Sequence, residues 1–382
     1  MSKGGRYLTP KPQKRTRTWV VVVAVILAVV LLLGALGVWF VVSKMNKVNR
    51  AERSDNQLSA DDIGKYLIED ETTSATEETT APTTEATTAP TEEAGPKYGK
   101  LGKIVNFLLI GQDARAGEES KNSDTVLLVS VNKETKKITM ISFLRDSYVV
   151  IPKVYDTYGN EHSGHTKLTL AYAMGYKWGG DLGAMEIMDK VIERNFGAVV
   201  DYNVEIDLEA FDAIINAVGY ITADLDTDEA AYLNEKFKDY PDRNYVVGEN
   251  RLDGWAAEEY ARMRHSSAAD NDYKRTARQR TVVSQVLERV KGMNVMQINA
   301  LVDELLDKVL TDMTNTDITT CITELLPLLP GMTMDSLQCP NADMDLYGEL
   351  IDLFKDGSPE QSIQRFTESK AKAIITAITE DD

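Results

Sequence analysis

The sequence has 382 residues, a formal net charge of −18, and ordinary hydrophobic (43%) and charged (27%) fractions. That length supports one large folded domain or two small ones. The acidic balance excludes general nucleic-acid binding, which needs a broad positive footprint.

The chain opens with six basic residues and no acid before Trp19. Trp19 to Val42, WVVVVAVILAVVLLLGALGVWFVV, carries no charge and is long enough to cross a bilayer as a helix, with Trp19 and Trp39 near its two interfaces. A signal peptide is the competing reading, but the run exceeds a typical h-region and no small-x-small cleavage site follows. The charge bias predicts a cytoplasmic tail (1–18), a single-pass transmembrane helix (19–42) in the cell membrane and an extracellular body. Gly34 and Gly37 are three apart, not the four of a dimerisation motif. Residues 43–98 hold little to bury. EDETTSATEETTAPTTEATTAPTEEA, from Glu69 to Ala94, has no core pattern, so 43–98 is expected to be a disordered stalk.

From Lys103 the pattern becomes that of strands. Ile104 to Ile110 (IVNFLLI) is a continuous apolar run, as in a strand buried on both faces, and the loop after it carries Asp113. Thr125 to Asn132 and Lys137 to Phe143 flank a Lys-Glu-Thr-Lys turn and read as a β-hairpin. Centring that turn near Glu134–Thr135 places Asp124 beside Arg145 and Asp146, at a sheet end of the kind where α/β proteins bind ligands. Helices are expected from Leu168, over Asp181 to Asn195 before Gly197, and over Leu208 to Val218 before Gly219. Short strands are expected at Val200 to Ile206 and Ile221 to Leu225. The alternation indicates an α/β layered domain (99–292) with a mixed sheet, followed by a helical extension (293–382).

Residues 259–280, EYARMRHSSAADNDYKRTARQR, concentrate Arg262, Arg264, Lys274, Arg275, Arg278 and Arg280 in an otherwise acidic chain. Arg262 and Arg264 would point the same way in an extended segment, while Arg275, Arg278 and Gln279 share a helix face leading into Val282, Val283, Val286 and Leu287. Arginines at the start of a helix oppose its dipole, and guanidinium matches phosphate geometry with two parallel hydrogen bonds. Two readings stand: a phosphate or pyrophosphate clamp, and a solvated basic face paired with surrounding acids, the commoner origin of a charge run.

Taken singly, Asp113 reads as a turn residue, Asp124 as a strand-edge cap, Arg145 as a surface ion pair and Asp272 as a helix cap. Lys167 alone carries no signal. His162 and His165 (HSGH) have the spacing of a zinc pair, yet their loop offers no further ligand. Cys321 and Cys339 lie in the exported part, where a disulfide and two free thiols are both open.

Several ordered segments together resemble the LytR–CpsA–Psr (LCP) family of membrane-anchored enzymes. These are NFLLIGQDAR, SDTVLLVSVNKETKKITMISFLRDSYVVIP, TKLTLAYAMGY, DYNVEIDLEAFDAIINAVGYITADL, LDGWAAEEYARMRH and NDYKRTARQR. The resemblance covers roughly residues 104–289. It implies an α/β/α domain that binds a polyprenyl (pyro)phosphate lipid and transfers a phosphoglycopolymer, such as wall teichoic acid or capsule, from undecaprenyl pyrophosphate to peptidoglycan. It further implies Mg²⁺ or Mn²⁺ on Asp113 and Asp124. Phosphate contacts would come from Arg145, Lys167, Arg262, Arg264, Arg275 and Gln279, and Asp272 would position or deprotonate the acceptor hydroxyl. Asp113, Asp124, Arg145 and Asp272 are the catalytic set so implied. Asn122, Leu144 and Gln112 depart from the family pattern, which has an arginine, a proline and a small hydroxylated residue there. A polyprenyl-pyrophosphate hydrolase and a non-catalytic lipid-binding regulator of the envelope are the alternatives.

Overall fold

The computed structural model describes residues 48–53, 67–69, 101–112, 122–155, 161–263, 268–305, 307–353 and 359–380. The expected basic tail and transmembrane helix lie outside them; no described helix is long and apolar enough to cross a membrane.

The described part begins with two short strands, β1 (Asn49–Arg50) and β2 (Ile68–Glu69), and continues with β3 (Ile104–Gln112), β4 (Ser123–Asn132), β5 (Lys137–Phe143), β6 (Tyr148–Tyr155) and β7 (Glu161–Lys167). Next come α1 (Leu168–Phe196), β8 (Tyr202–Ile206), α2 (Leu208–Val218), β9 (Ile221–Leu225), α3 (Thr227–Lys236), β10 (Gly248–Leu252), α4 (Gly254–Arg262) and α5 (Ala268–Lys291). The last part described holds α6 (Val295–Leu305), β11 (Leu310–Thr311), α7 (Asn315–Leu325), β12 (Thr333–Cys339), β13 (Tyr347–Ile351), β14 (Gln361–Arg365) and α8 (Glu368–Thr379).

The central sheet has the order β1-β11-β8-β3-β4-β5-β12. It is mixed, as expected: β3 runs parallel to β8 and antiparallel to β4, and β5 runs antiparallel to β4 and parallel to β12. Both faces are covered. Leu108, Ile110, Val126 and Leu128 pack with Tyr172, Met188 and Ile192 of α1 and Ile375 of α8, while Leu127, Val129 and Met140 meet Val283 and Leu287 of α5. The continuous apolar run in β3 is therefore a strand with no solvent face. A lobe of its own forms where Ile215, Leu233, Phe237, Leu252, Tyr260 and Val282 meet. Here β9 departs from the alternation expected of it, since it pairs with β10 outside the central sheet.

Helix α1 is interrupted at Gly179 and Gly180 (φ 67°), so the two helices expected around Leu168 and Asp181 are both present. They fold back closely: a Cβ at Gly175 would lie 2.7 Å from the Gly183 carbonyl oxygen, which only a glycine tolerates. Gly197 ends the second helix in the left-handed conformation, and Asp207 and Asp253 cap α2 and α4.

Three expectations change. The 43–98 stalk is not structureless throughout, because β1 pairs with β11 and β2 with β7. Two-residue strands are held by backbone hydrogen bonds, such as Ala51 N–H to Thr311 O at 3.0 Å, and leave no apolar pattern to read. Leu67, buried in the main core, anchors the second piece. The boundary at 292 also fails as a division of the sheet, since β11 and β12 belong to it and residues 293–382 are not a helical appendage. His162 and His165 lie on β7, not in a loop. An odd spacing on a strand turns them to opposite faces, and His165 stacks on Tyr148 at 5.1 Å.

Cys321 and Cys339 are both free. Cys339 is fully buried, its thiol donating to Met344 Sδ at 3.6 Å. Burial, then the nearby Asp317, pushes the Cys321 thiol up to about 12, and burial raises Cys339 as well. Iodoacetamide at pH 8 is accordingly expected to modify neither thiol in the native protein and both in denaturant, read by intact mass. A native protein two protons lighter, carrying a disulfide, would contradict this.

Candidate active site

The site forms where β3, β5 and β8 end and β4 begins. The hairpin register Val126↔Phe143 sets Asp124 beside Arg145 across 21 residues of sequence, and Arg145 Nη1 donates to Asp124 Oδ1. The turn after β5 is pinned to the start of α1: Leu168 N–H donates to Ser147 O and Thr169 N–H to Arg145 O, each at 2.9 Å. That pinning brings in Lys167, whose Nζ lies 3.2 Å from Asp146 Oδ1, while Arg145 Nε is 3.6 Å from Asp146 Oδ2. From the other side, α5 presents Asp272 and Arg275. Arg275 Nη2 donates to Asp272 and, at 3.4 Å, to the Asp124 carbonyl; Asp272 Oδ1 lies 3.8 Å from Arg145 Nε.

Three cations and three carboxylates thus interlock, and the cluster is mostly shielded from water. Burial pulls the Arg145 guanidinium down, but Asp146, Asp124 and Asp272 outweigh it, so its pKa stands above the ordinary value. Among the described residues Arg145 Nε has no hydrogen-bond partner, the acids near it being beyond bonding distance. A buried guanidinium N–H without an acceptor costs about 1–3 kcal/mol, which an anionic ligand would recover.

Beside the cluster opens a cavity of about 500 Å³. Its wall is apolar where Leu109, Leu127, Leu208, Phe211, Val282 and Val283 line it, and polar both where Asp124, Arg275 and Gln279 reach it and where Lys236, Glu258 and Glu259 do. An elongated apolar group with an anionic end fits this division.

Of the residues singled out from the sequence, Asp124, Arg145, Lys167, Asp272 and Arg275 come together here, and Gln279 and Arg262 line the cavity. Asp113 and Arg264 lie outside the described residues. Arg262 is the last residue of α4, not part of an extended segment, and its Nη1 donates to Glu258 at 2.7 Å. Helix α5 begins at Ala268, so Arg275 is well inside the helix and not at its dipole end. Arg278 faces the lobe instead of the cavity: it is 2% exposed, donates from Nη1 to Glu229 Oε1 at 3.1 Å and from Nη2 to the Met263 carbonyl. Arg278 is therefore structural. Asp146, expected from the sequence only as a neighbour of Asp124 alongside Arg145, is the acid that joins Arg145 to Lys167. Glu258 was overlooked although it stands four residues before Arg262, the spacing of a helical ion pair.

The acids at the mouth are hard-oxygen donors of the kind Mg²⁺ prefers, and Mg²⁺ takes one or two carboxylates together with substrate phosphates. Among the described residues no three His, Cys, Asp or Glu side chains converge as a cage. The donor chemistry at Asp124 fits Mg²⁺ shared with a phosphate ligand.

A family model, LytR_cpsA_psr family, matches residues 65–361. A polyisoprenyl-teichoic acid–peptidoglycan teichoic acid transferase TagU of Oceanobacillus iheyensis is 30% identical over 220 residues, covering 57% of this chain and 62% of the relative. Biofilm regulatory protein A of Streptococcus mutans is 32% identical over 197 residues, covering 50% of this chain and 45% of the relative. The matches thus span about half to two-thirds of these relatives' lengths. The crystal structure of B. subtilis TagT superposes with a TM-score of 0.52 at 22% identity, covering 75% of this chain and 93% of that one, a likeness of fold. With the family model matched across most of its length, the chain belongs to the LytR_cpsA_psr family.

Proposed function

We propose that the protein transfers a phosphoglycopolymer from a polyprenyl pyrophosphate carrier to a peptidoglycan hydroxyl. The observation that carries this reading is the junction of an apolar cavity with the cluster of Arg145, Lys167 and Arg275. The cavity suits the polyprenyl chain, and the guanidinium groups suit the pyrophosphate. Family membership and the printed name of the TagU relative support it.

In the step proposed, the acceptor oxygen bonds to the phosphorus that carries the sugar. The bridging P–O bond breaks, and polyprenyl monophosphate leaves with the bridging oxygen. The product is a phosphodiester between acceptor and polymer, and the hydroxyl proton passes to a carboxylate. Asp272, held by Arg275 beside Arg145, is the carboxylate assigned to orient the hydroxyl and accept that proton. Such transfers depend on alignment and charge neutralisation more than on covalent assistance, the task for which Arg145, Arg275 and Lys167 are placed. Mg²⁺ or Mn²⁺, on Asp124 with Asp113, would add to that neutralisation when bound.

In a host deleted for its own copy, Asp124→Asn and Arg275→Ala proteins, expressed at wild-type level, are expected to leave the wall without attached polymer. Full restoration by both would leave only a lipid-binding regulator; the S. mutans relative is named a biofilm regulatory protein.

A further inference from the structure

The family reading leaves unexplained a set of exposed apolar residues on the lobe. Val247 is 64% exposed, Val246 53%, Tyr240 46% and Trp255 40%. Two of them meet at Phe237: the Trp255 ring packs edge-on against Phe237 at 4.7 Å and Tyr240 at 5.0 Å, while Tyr245, which directly precedes Val246 and Val247 in the chain, lies 5.7 Å from Phe237. The patch adjoins the cavity. Phe237 directly follows Lys236, a cavity-lining residue, and Trp255 stands one helical turn before Glu259, which also lines it and accepts from Tyr232 at 3.0 Å.

Charge and chemistry narrow the partner. Nearby cations are already paired, Arg243 with Asp253, Lys238 with Glu235 and Lys236 with Glu259, so the patch does not suit a polyanion. Exposed valines do not suit a sugar surface. Tryptophan and tyrosine beside aliphatic side chains suit a bilayer interface.

Topology points the same way. Asn49 aligns through Leu310 with Glu205, and Arg50 through Thr311 with Val204, so β1 runs opposite to β8. The chain before Asn49 therefore enters from the Ile206 end of the sheet, where Ile206 and Asp207 line the cavity. The apolar run ends at Val42, and at roughly 3.3 Å per residue the link to Asn49 spans no more than about 20–25 Å. With β1 and β2 already docked, the Thr/Glu-rich stretch falls in sequence between β2 and β3 and not between the apolar run and β1.

We propose that the cavity end of the domain rests on the bilayer, with Tyr240, Val246, Val247 and Trp255 as its interfacial contact, so that a lipid-linked donor reaches the cavity without leaving the membrane. This deepens the transferase reading and rests on it for its purpose, but docking can be read without any transfer.

The test uses the full chain, Cys321→Ser, reconstituted in phosphatidylcholine–phosphatidylglycerol vesicles free of polyprenyl lipid. An environment-sensitive fluorophore is placed at Val247→Cys or, as a control, at Met296→Cys. Met296 is 83% exposed and follows the far end of α5, about 24 Å along the helix from Arg275. Lipids carrying a nitroxide near the top of the acyl chain are expected to quench the Val247→Cys label at least twofold more than the Met296→Cys label. Adding Val246→Asp is expected to reduce that difference. Equal quenching at both positions, or stronger quenching at the control, overturns the proposal. So does a blue-shifted Val247→Cys label that the lipids do not quench, because a protein surface then covers it. Quenching as expected by a protein that transfers nothing would sink the transferase reading and leave the docking intact.

Discussion

Replacing Arg145 with alanine is expected to lower the rate of polymer attachment by about 10²–10³-fold, the usual cost of losing one preorganised electrostatic stabiliser. Arg145 is the only cation in contact with Asp124, Asp146 and Asp272 together among the described residues. Its loss removes a phosphate ligand and also leaves three carboxylates facing each other with less compensation. Like charges at that spacing disfavour ionisation of the group, so the damage should exceed that of a lost contact alone. Arg145→Lys retains the charge but not the planar fork, and an intermediate loss is expected. Initial rates with a labelled lipid-linked donor, on protein shown folded by circular dichroism, check both. A wild-type rate for Arg145→Ala would remove Arg145 from the site.

The second large effect is on stability. Arg278 and Glu229 are buried together, their side chains 3% and 10% exposed, and tie α5 to α3 within the lobe. Removing one partner of such a pair strands the other charge, at a cost of about 3–5 kcal/mol. Arg278→Ala is therefore expected to lower the denaturant midpoint sharply, whereas Arg278→Met with Glu229→Gln should recover much of the loss. Were Arg278 instead a phosphate ligand, Arg278→Ala would spare the midpoint and abolish binding. Measuring both on the same preparation separates the structural role from the catalytic one.

These two arginines show what the sequence discloses and where it stops. The adjacency of Asp124 and Arg145 follows from the hairpin alone, because the turn position fixes the register and the register fixes the neighbours. Helices ended by Gly197 and Gly219 are legible in the sequence because each end rests on local backbone chemistry. The separate fates of Arg275 and Arg278 were not. They sit three residues apart on one helix, only about 60° from each other around its axis, and the lobe built by β9, β10, α3 and α4 decides which faces a cavity. The edge strands escaped for another reason. β1 has two residues, and β12 (TMDSLQC) lacks an apolar alternation, so both depend on the backbone of a neighbour already in place. Asp146 was adjacent to a named residue, but its role appears only when Lys167 arrives from β7.

The most direct measurement supplies the purified full chain with a polyprenyl-pyrophosphate-linked glycopolymer labelled in its sugars, with and without peptidoglycan. Both products are then followed by mass spectrometry. With acceptor, the account predicts label joined to peptidoglycan through a phosphodiester and one polyprenyl monophosphate released per polymer attached; without acceptor, almost none of either. Equal release of polyprenyl monophosphate in both arms, with the polymer left as a free sugar phosphate, would mean that water is the acceptor and would contradict it.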